Sequence, residues 1–501
     1  VGIGRAAILG ASASWLGALA SFVLRFAVNA LLARLIAPDV FGRFALAFVY
    51  SELLGIIIAA GFGHAIVQLP ETPEQTIPGA IQLNALVGGL LMLGSAVAYP
   101  FALRGDGLEV ANLVVLLSAT RAATIIAGTY DSVLQRQLAF TRLAVVRMYA
   151  TVLSAAGSLA LAWSHRPFAA LFAREATAPI LTAFFLLTEI KIDWKEVFHP
   201  SAATRSVRKK VFDIGRSHFW VQALEILYQR VDQLVFAKVL GAREFAYYYQ
   251  ARYVVGLPHA AVAPATQTVA LRVFVEVAED APKMKRTIEL LQVVVSHLLM
   301  LCAIPLAFAP HTLVALAYGP RWAGIADMLP PLAAWVVLQP LSRNSQLALM
   351  ALRQWRAIRL AQIAQLVCLA VCVPPLVLGF GARGAAWSLS IATLAAMVTM
   401  RRGVGPEQRP ALWVYRGVLF GAAVLTAFWA LSRALGKGTL TEMSLTAAAV
   451  VLYAGATTLA DPRRIPDIVQ FMRAQLKRSP VSPAPTSAPA GSGDEHVSGS
   501  A

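Results

Sequence analysis

The sequence predicts an all-α polytopic membrane protein: two pseudo-symmetric six-helix lobes around a central cavity, plus about two extra C-terminal transmembrane helices. Three observations predict it. Of 501 residues, 58% are hydrophobic and only 14% are charged, against roughly 25% charged in soluble domains. The apolar residues also form long blocks. Gln82 to Leu103 holds no charged side chain, and Leu290 to Tyr318 holds none either, with only Pro305 and Pro310 to break it. A bilayer core about 30 Å thick takes about 20 apolar residues in a helix. The third observation is an internal repeat, described below.

Fourteen candidate helices begin near Ser14, Phe44, Gly79, Leu108, Ala144, Phe168, Arg216, Phe245, Ile288, Asp327, Ile358, Gly384, Leu412 and Thr441. They divide the chain into an N-terminal six-helix lobe (1–188), a basic loop (189–215), a C-terminal six-helix lobe (216–402), two additional helices (403–460) and a tail (461–501). The tail from Ser479 onward is Pro, Ser, Ala and Gly, a composition expected to be disordered. The first apolar block reads as a retained span, because no small-residue cleavage site follows it.

The net charge is +17. No basic stretch is attached to a foldable soluble domain, so nucleic acid is not an expected partner. The charge instead orients the chain. With a cytoplasmic N-terminus, Arg136, Arg142, Arg147, the run from Lys191 to Arg216, Lys283, Lys285, Arg286, Arg353, Arg356, Arg359, Arg401, Arg402 and Arg409 all fall on the cytoplasmic side. The other side receives few, among them Arg104, Arg166, Arg243, Arg321 and Arg383. This satisfies the positive-inside rule and puts both termini in the cytoplasm.

The repeat lays Leu32–Ala47 on Phe236–Ala251. Ala33, Phe41 and Ala47 match Ala237, Phe245 and Ala251, and Arg34 matches Lys238. Six spans separate the copies, so both have one orientation, as in parallel-repeat transporters. The seventh span carries His218, Gln222, Glu225, Gln229 and Asp232 at steps of four and three, one narrow stripe on a helix. A charge at the bilayer centre costs roughly 2.5–3.5 kcal/mol, so the stripe must face water or a polar partner. Shifted back by the repeat, it falls on Ser14, Ala18, Ser21, Arg25 and Val28. The first span of each half is therefore expected to line one central cavity. The plainer reading is structural ion pairing, for example Glu225 with Arg230.

Further charges inside spans are Glu52, Arg121, Arg174, Glu175, Arg252 and Arg343. The adjacent Arg174 and Glu175 read as structural. Arg252 lies near Pro258 and Pro264, and Arg343 follows Pro330, Pro331 and Pro340. Backbone carbonyls freed by proline are tolerated only where protein or water satisfies them, so both helices are expected to border the cavity. Arg25, Arg252 and Arg343, joined by Arg121 and Arg230, make the interior cationic. Guanidinium grips phosphate oxygens with two parallel hydrogen bonds and keeps its proton, so an anionic substrate is expected. Glu52, Glu225, Asp232, His64 and His218 are candidates to titrate during a transport cycle. Cys302, Cys368 and Cys372 lie in apolar blocks without a metal-ligand neighbour. They read as packing residues, and no metal or cofactor is expected.

The segment Leu32-Ala-Arg-Leu-Ile-Ala-Pro-Asp-Val-Phe-Gly-Arg-Phe-Ala resembles the first loop of polysaccharide transporters of the multidrug/oligosaccharidyl-lipid/polysaccharide exporter (MOP) superfamily. Leu134-Gln-Arg-Gln-Leu-Ala-Phe-Thr-Arg-Leu-Ala-Val-Val-Arg147 is similar to the amphipathic stretch before their fifth span. Gly319-Pro-Arg-Trp-Ala-Gly-Ile-Ala-Asp-Met-Leu-Pro-Pro-Leu332 is similar to the entry to their tenth. The similarity covers about residues 10 to 400. It implies two lobes in a V, alternating access and an undecaprenyl-diphosphate-linked oligosaccharide as substrate, moved across the bacterial inner membrane without enzymatic chemistry. In the related lipid II flippases, arginines of the first and eighth spans hold the diphosphate. Arg25 and Arg252 occupy comparable spans here.

The resulting candidate substrate site is Arg25, Arg252, Arg230, Arg343, Gln222 and Gln229, with Glu225, Asp232 and Glu52 as coupling candidates. Expected partners are membrane lipids, the lipid-linked oligosaccharide, a polysaccharide polymerase and glycosyltransferases. A cation-coupled drug exporter of the same fold is the alternative, and it predicts a cavity dominated by carboxylates. A membrane-embedded polymerase or ligase is disfavoured, because no long external loop and no paired-aspartate motif occurs. An accessory scaffold in polysaccharide assembly stays open.

Overall fold

A computed structural model of the chain describes residues 20–60, 62, 69, 71–137, 140–188, 194–435 and 438–460. Ser14, Ala18, His64 and the tail lie outside the described residues, as does the side chain of His218. Each of the fourteen expected helices has a helical counterpart. The first lobe holds α1 (residues 20–35), α2 (Pro38–Leu54), α3 (Pro73–Asp106), α4 (Leu108–Arg136), α5 (Phe140–Trp163) and α6 (Pro167–Leu187). A short 3-10 segment, Gly55–Ala60, prolongs α2.

The second lobe begins with the 75-residue helical stretch Ala202–Glu276, broken at Gly241 into α7 (202–240) and α8 (242–276). Next come α9 (Ala281–Phe308) and α10 (Leu329–Ala351). The stretch Trp355–Gly403 is broken at Gly381 into α11 (355–380) and α12 (382–403). Gly241 and Gly381 both have positive φ, at 80° and 57°. Glycine adopts that conformation at no steric cost, so each chain reversal takes a single residue. Finally α13 (Arg416–Leu435) and α14 (Thr439–Ala460) pair with each other and pack on α9.

Eight helices among the described residues are long and apolar enough to cross a membrane, Trp355–Gly403 counting once. Their outward residues are those a lipid solvent favours, such as Phe101, Val371, Leu378 and Val451, all more than 65% exposed. The protein is a multi-pass membrane protein. Proline at the first turn starts α2, α3, α6 and α9, where its missing N–H costs nothing.

One expectation changes. The polar segment read as a basic loop is largely helix: Trp194–Phe198 forms one turn and a half, and α7 starts at Ala202 rather than near Arg216. Ser201 caps it, accepting from the Thr204 N–H at 3.2 Å. Thr204, Val207, Val211 and Gly215 are buried at helical spacing while Arg205, Lys209 and Arg216 stay exposed. This amphipathic face lies on α3, with Arg208 against Gly79 and bonded to Gln82 at 2.9 Å.

The repeat copies occupy equivalent turns, α1–α2 and α7–α8. Ala33, Phe41, Ala47, Phe245 and Ala251 are all at most 1% exposed. The α7–α8 pair packs along α2, which joins the lobes. The helix ends divide into two sets. The α4–α5 and α6–α7 connections lie at one end with the excess of Arg and Lys, here termed the basic end. The α1–α2, α3–α4, α7–α8 and α9–α10 turns lie at the opposite end.

Candidate functional site

Helices α1, α4, α5, α6 and α8 wall a cavity of about 480 Å³. Small and hydroxylic residues leave the space: Thr124, Gly128, Thr151, Ser154 and Thr182. The lining runs down α4 and α6 toward their ends at the basic end, reaching Asp131 and Leu186. Tyr249 and Tyr253 supply the second lobe's share of the wall.

Five charged groups face this space: Arg25, Asp131, Arg147, Arg174 and Glu175. Arg147 pairs with Asp131 at 2.7 Å. Arg174 donates to one Glu175 carboxylate oxygen through Nη2 at 2.7 Å and Nε at 3.0 Å. Arg25 is exposed within the cavity and has no carboxylate partner among the described residues. Three guanidiniums thus face two carboxylates, and the uncompensated one is Arg25. Its helix is fixed from both sides: Ser21 donates to the Met148 sulfur at 3.6 Å, and Phe26 stacks on Tyr253 at 6.3 Å. An anion entering this cavity meets an unpaired, permanently charged fork.

The other candidates lie elsewhere. Arg252 is buried against Asp232 and lies over the Trp335 ring at 5.1 Å. Asp232, fully buried, also accepts from the Tyr248 hydroxyl. Arg230 reaches Glu52 at 3.4 Å and Gln233 at 3.1 Å. Glu52 is shared with Arg121, and the two guanidiniums lie 5.2 and 5.5 Å from the Phe48 ring centre. Arg343 and Glu225 face each other at 3.9 Å across a second, small cavity of about 20 Å³ inside the second lobe. Gln339, Gln362 and Gln365 line it too. Gln229 donates to Glu225 at 2.8 Å, and Gln222 is exposed. Of the six candidate substrate residues, the structure brings Arg25 alone to the large cavity. The polar stripe on α7 is satisfied mainly by second-lobe partners.

Sequence reasoning did not find Arg147, Asp131, Tyr249 or Tyr253 as cavity residues, and it read Arg174 and Glu175 as structural. The Arg147–Asp131 pair does not show as a motif, since its members sit on different helices. For the other pair, the adjacent arginine–glutamate dyad inside an apolar span was the signal.

At the opposite end the lobes are sealed. The Trp322 indole, fully buried, donates to the Ala33 carbonyl at 2.6 Å. It packs edge-on against Phe41 at 5.3 Å and against Tyr247 at 5.9 Å. Arg34 donates to the Ala317 carbonyl at 3.1 Å and also to that of Leu316. Asn29 donates to Gln250 at 2.8 Å, and Lys238 pairs with Asp106 at 2.7 Å.

The fold is that of a helical membrane protein with a polar cavity on one side of a closed seam between repeated lobes, and solved structures share it. The chain matches 90% of its length to 99% of a lipid II flippase, MurJ, in an inward closed conformation, with a TM-score of 0.72 at 13% identity. It matches 77% of its length to 93% of an inward-facing multidrug resistance MATE transporter of the MOP superfamily, with a TM-score of 0.60 at 15% identity. A MOP superfamily transporter from Pyrococcus furiosus, titled for the reverse polarity of its binding pocket, matches with a TM-score of 0.54 at 14% identity, over 80% of this chain and 95% of that one. These likenesses define the fold.

The family follows from sequence. Residues 31–327 match the model for polysaccharide biosynthesis proteins, and the chain belongs to that family. A curated relative is the teichuronic acid biosynthesis protein TuaB of Bacillus subtilis (strain 168), 23% identical over 305 residues. That match takes in 59% of this chain and 61% of TuaB's length.

Proposed function

We propose that this protein is a flippase that moves an undecaprenyl-diphosphate-linked oligosaccharide across the bacterial inner membrane by alternating access. The observation that carries the reading is Arg25, a guanidinium in the wall of the 480 Å³ cavity with no carboxylate partner among the described residues. The diphosphate would dock on Arg25, the sugars would occupy the hydroxyl-lined space, and the lipid tail would stay in the bilayer. Tyr249 and Tyr253 offer apolar ring faces to a sugar. The positive-inside rule favours a cytoplasmic basic end, and in that orientation the cavity would face the side where lipid-linked sugars are made. Membership of a polysaccharide biosynthesis family supports a glycan cargo, which a polymerase would consume after translocation. The cation-exporter alternative loses ground, because both cavity carboxylates are already paired with arginine.

Arg252, Arg230 and Arg343 would act in a later state, after their carboxylate partners separate, with Glu225, Asp232 and Glu52 free to couple that step to an ion. The test is a chromosomal Arg25→Glu variant. Surface polysaccharide should disappear while the protein level in the membrane stays normal. Wild-type polysaccharide from that variant would remove the anion-docking reading.

A further inference from the structure

The cavity and the far seam are joined by a continuous chain of hydrogen bonds, and its central group is Arg174. This guanidinium divides its donors between two partners. Nε and Nη2 hold Glu175 in the cavity wall at 3.0 and 2.7 Å, while Nη1 donates to the Asn29 side-chain oxygen. Asn29 sits one turn beyond Arg25 on α1 and is 2% exposed. Its amide nitrogen crosses to the second lobe, donating to Gln250 at 2.8 Å and to the Tyr318 hydroxyl at 3.4 Å. Gln250 is fully buried, and Tyr318 is 1% exposed. A second route leaves the same guanidinium. Arg174 lies 5.7 Å from the Phe41 ring centre, and Phe41 packs edge-on against Trp322, whose indole is bonded to Ala33.

Both routes end in groups that hold the lobes together at the end opposite the basic one. Leaving Asn29 or Gln250 without a partner is costly at this burial, so the chain has a well-defined bonded state. We propose that Arg174 is a second anion-binding residue through which an anionic head group in the cavity releases the far seam. This rests on the flippase reading above. A diphosphate gathered by Arg25 competes with Glu175 for the Nε/Nη2 edge of Arg174, because a phosphate can offer that edge two oxygens and more charge, where Glu175 offers one oxygen. Turning the guanidinium toward that anion draws Nη1 off Asn29. The Asn29 oxygen then loses its charged donor and keeps only the long contact from the Gln250 amide at 3.5 Å, so the Asn29 side chain is held less firmly toward Gln250 and Tyr318. A ligand shifts a two-state protein only by binding the states unequally. Here the inequality is built in, because the sealed state needs Arg174 on Asn29 and the liganded cavity needs it on phosphate.

The test reads the seam directly. In full-length protein with Cys302, Cys368 and Cys372 replaced by serine, Asp39→Cys and Arg243→Cys are joined by a short bismaleimide. Those positions face each other across the seam, 3.5 Å apart as an exposed ion pair. The protein sits in phosphatidylglycerol–phosphatidylethanolamine vesicles with or without undecaprenyl diphosphate, and binding of that lipid is measured alongside. Expected, the lipid lowers the cross-linking rate about fivefold or more, the low end of common coupling. Arg174→Gln should bind the lipid more weakly and leave the rate unchanged by it at saturation. Asn29→Ala should show a low rate with or without lipid, and Tyr318→Phe a milder form of the same effect. A Trp322→Phe control opens the seam without touching the cavity.

Lipid that binds wild type, yet lowers cross-linking equally in Arg174→Gln, overturns the coupling and leaves the flippase reading intact. Absence of binding to wild type, with the Asn29→Ala effect on the seam retained, sinks the substrate reading instead.

Discussion

The two halves of this protein share a repeat but spend their buried charges differently. In the first lobe, charge lines a cavity of about 480 Å³ and one arginine is left without a carboxylate partner among the described residues. In the second, Arg252, Asp232 and Tyr248 close on one another, and the remaining cavity of about 20 Å³ has room for roughly one water. Arg25 and Arg252 are both arginines on cavity-bordering helices, yet one is exposed and unpaired and the other is locked. A cationic span residue is therefore not a binding group by virtue of its charge. What decides is whether a carboxylate reaches it first.

This difference is open to a direct attack, made with parallel substitutions. The largest effect belongs to the second lobe. Asp232→Ala strands the Arg252 guanidinium in the interior, and breaking such a pair costs about 3–5 kcal/mol. Thermal unfolding in detergent should show a large loss, with little folded protein at growth temperature. A variant as stable as wild type would mean that Arg252 finds water, and the contrast between the lobes would collapse. Arg25→Gln should do the reverse. An exposed residue without a partner changes stability by no more than about 0.5 kcal/mol. Losing a charged contact to a bound diphosphate costs about 2 kcal/mol or more, which is roughly a 30-fold drop in affinity. Lipid-binding isotherms and melting curves on the same preparation separate the two outcomes.

A smaller effect is expected where the lobes meet. Gly42 lies under the start of α8: a β-carbon there would sit 1.8 Å from the Ala242 carbonyl oxygen. Gly42→Leu should force the turns apart and bias the protein away from the sealed state, with the fold retained. Faster modification of a cysteine at position 33 is the readout, since Ala33 is fully buried beneath Trp322. Unchanged modification would show that the seam yields elsewhere.

Much of this contrast was legible before any coordinates, and the limits are physical. Helix positions followed from charge-free blocks, because lipid tolerates few alternatives to a helix. Arg25 emerged from the repeat, which carried the α7 stripe back onto α1. Pairing across the chain was hidden. Nothing local in Arg252 announces Asp232, which lies 20 residues back on α7 across the Gly241 break, and nothing in Asn29 announces Arg174 on α6. The helix over residues 202–215 was masked by Arg205, Arg208, Lys209 and Lys210, whose charges outweighed the Ser201 cap and the Val207–Val211 spacing.

The smallest effect concerns the linker between the lobes. Lys210, at the start of α7, donates to Glu71 at 2.5 Å across the basic end, and Arg136 donates to the Glu71 carbonyl at 2.7 Å. The Lys210 hydrogen bond holds the Glu71 carboxyl below its ordinary value of 4.5. The sign follows from linkage. A carboxyl with a depressed value in the folded state stabilises above its ordinary value, and that contribution fades as pH falls through the depressed one. Lys210 is about half exposed, and such pairs contribute little. Wild type should therefore melt slightly above Glu71→Gln at pH 7, with the gap closing as the pH is lowered below the ordinary carboxyl range. A gap that widens in acid would mean that Glu71 is held in its protonated form, and the linker would then be attached to the first lobe by something other than this pair.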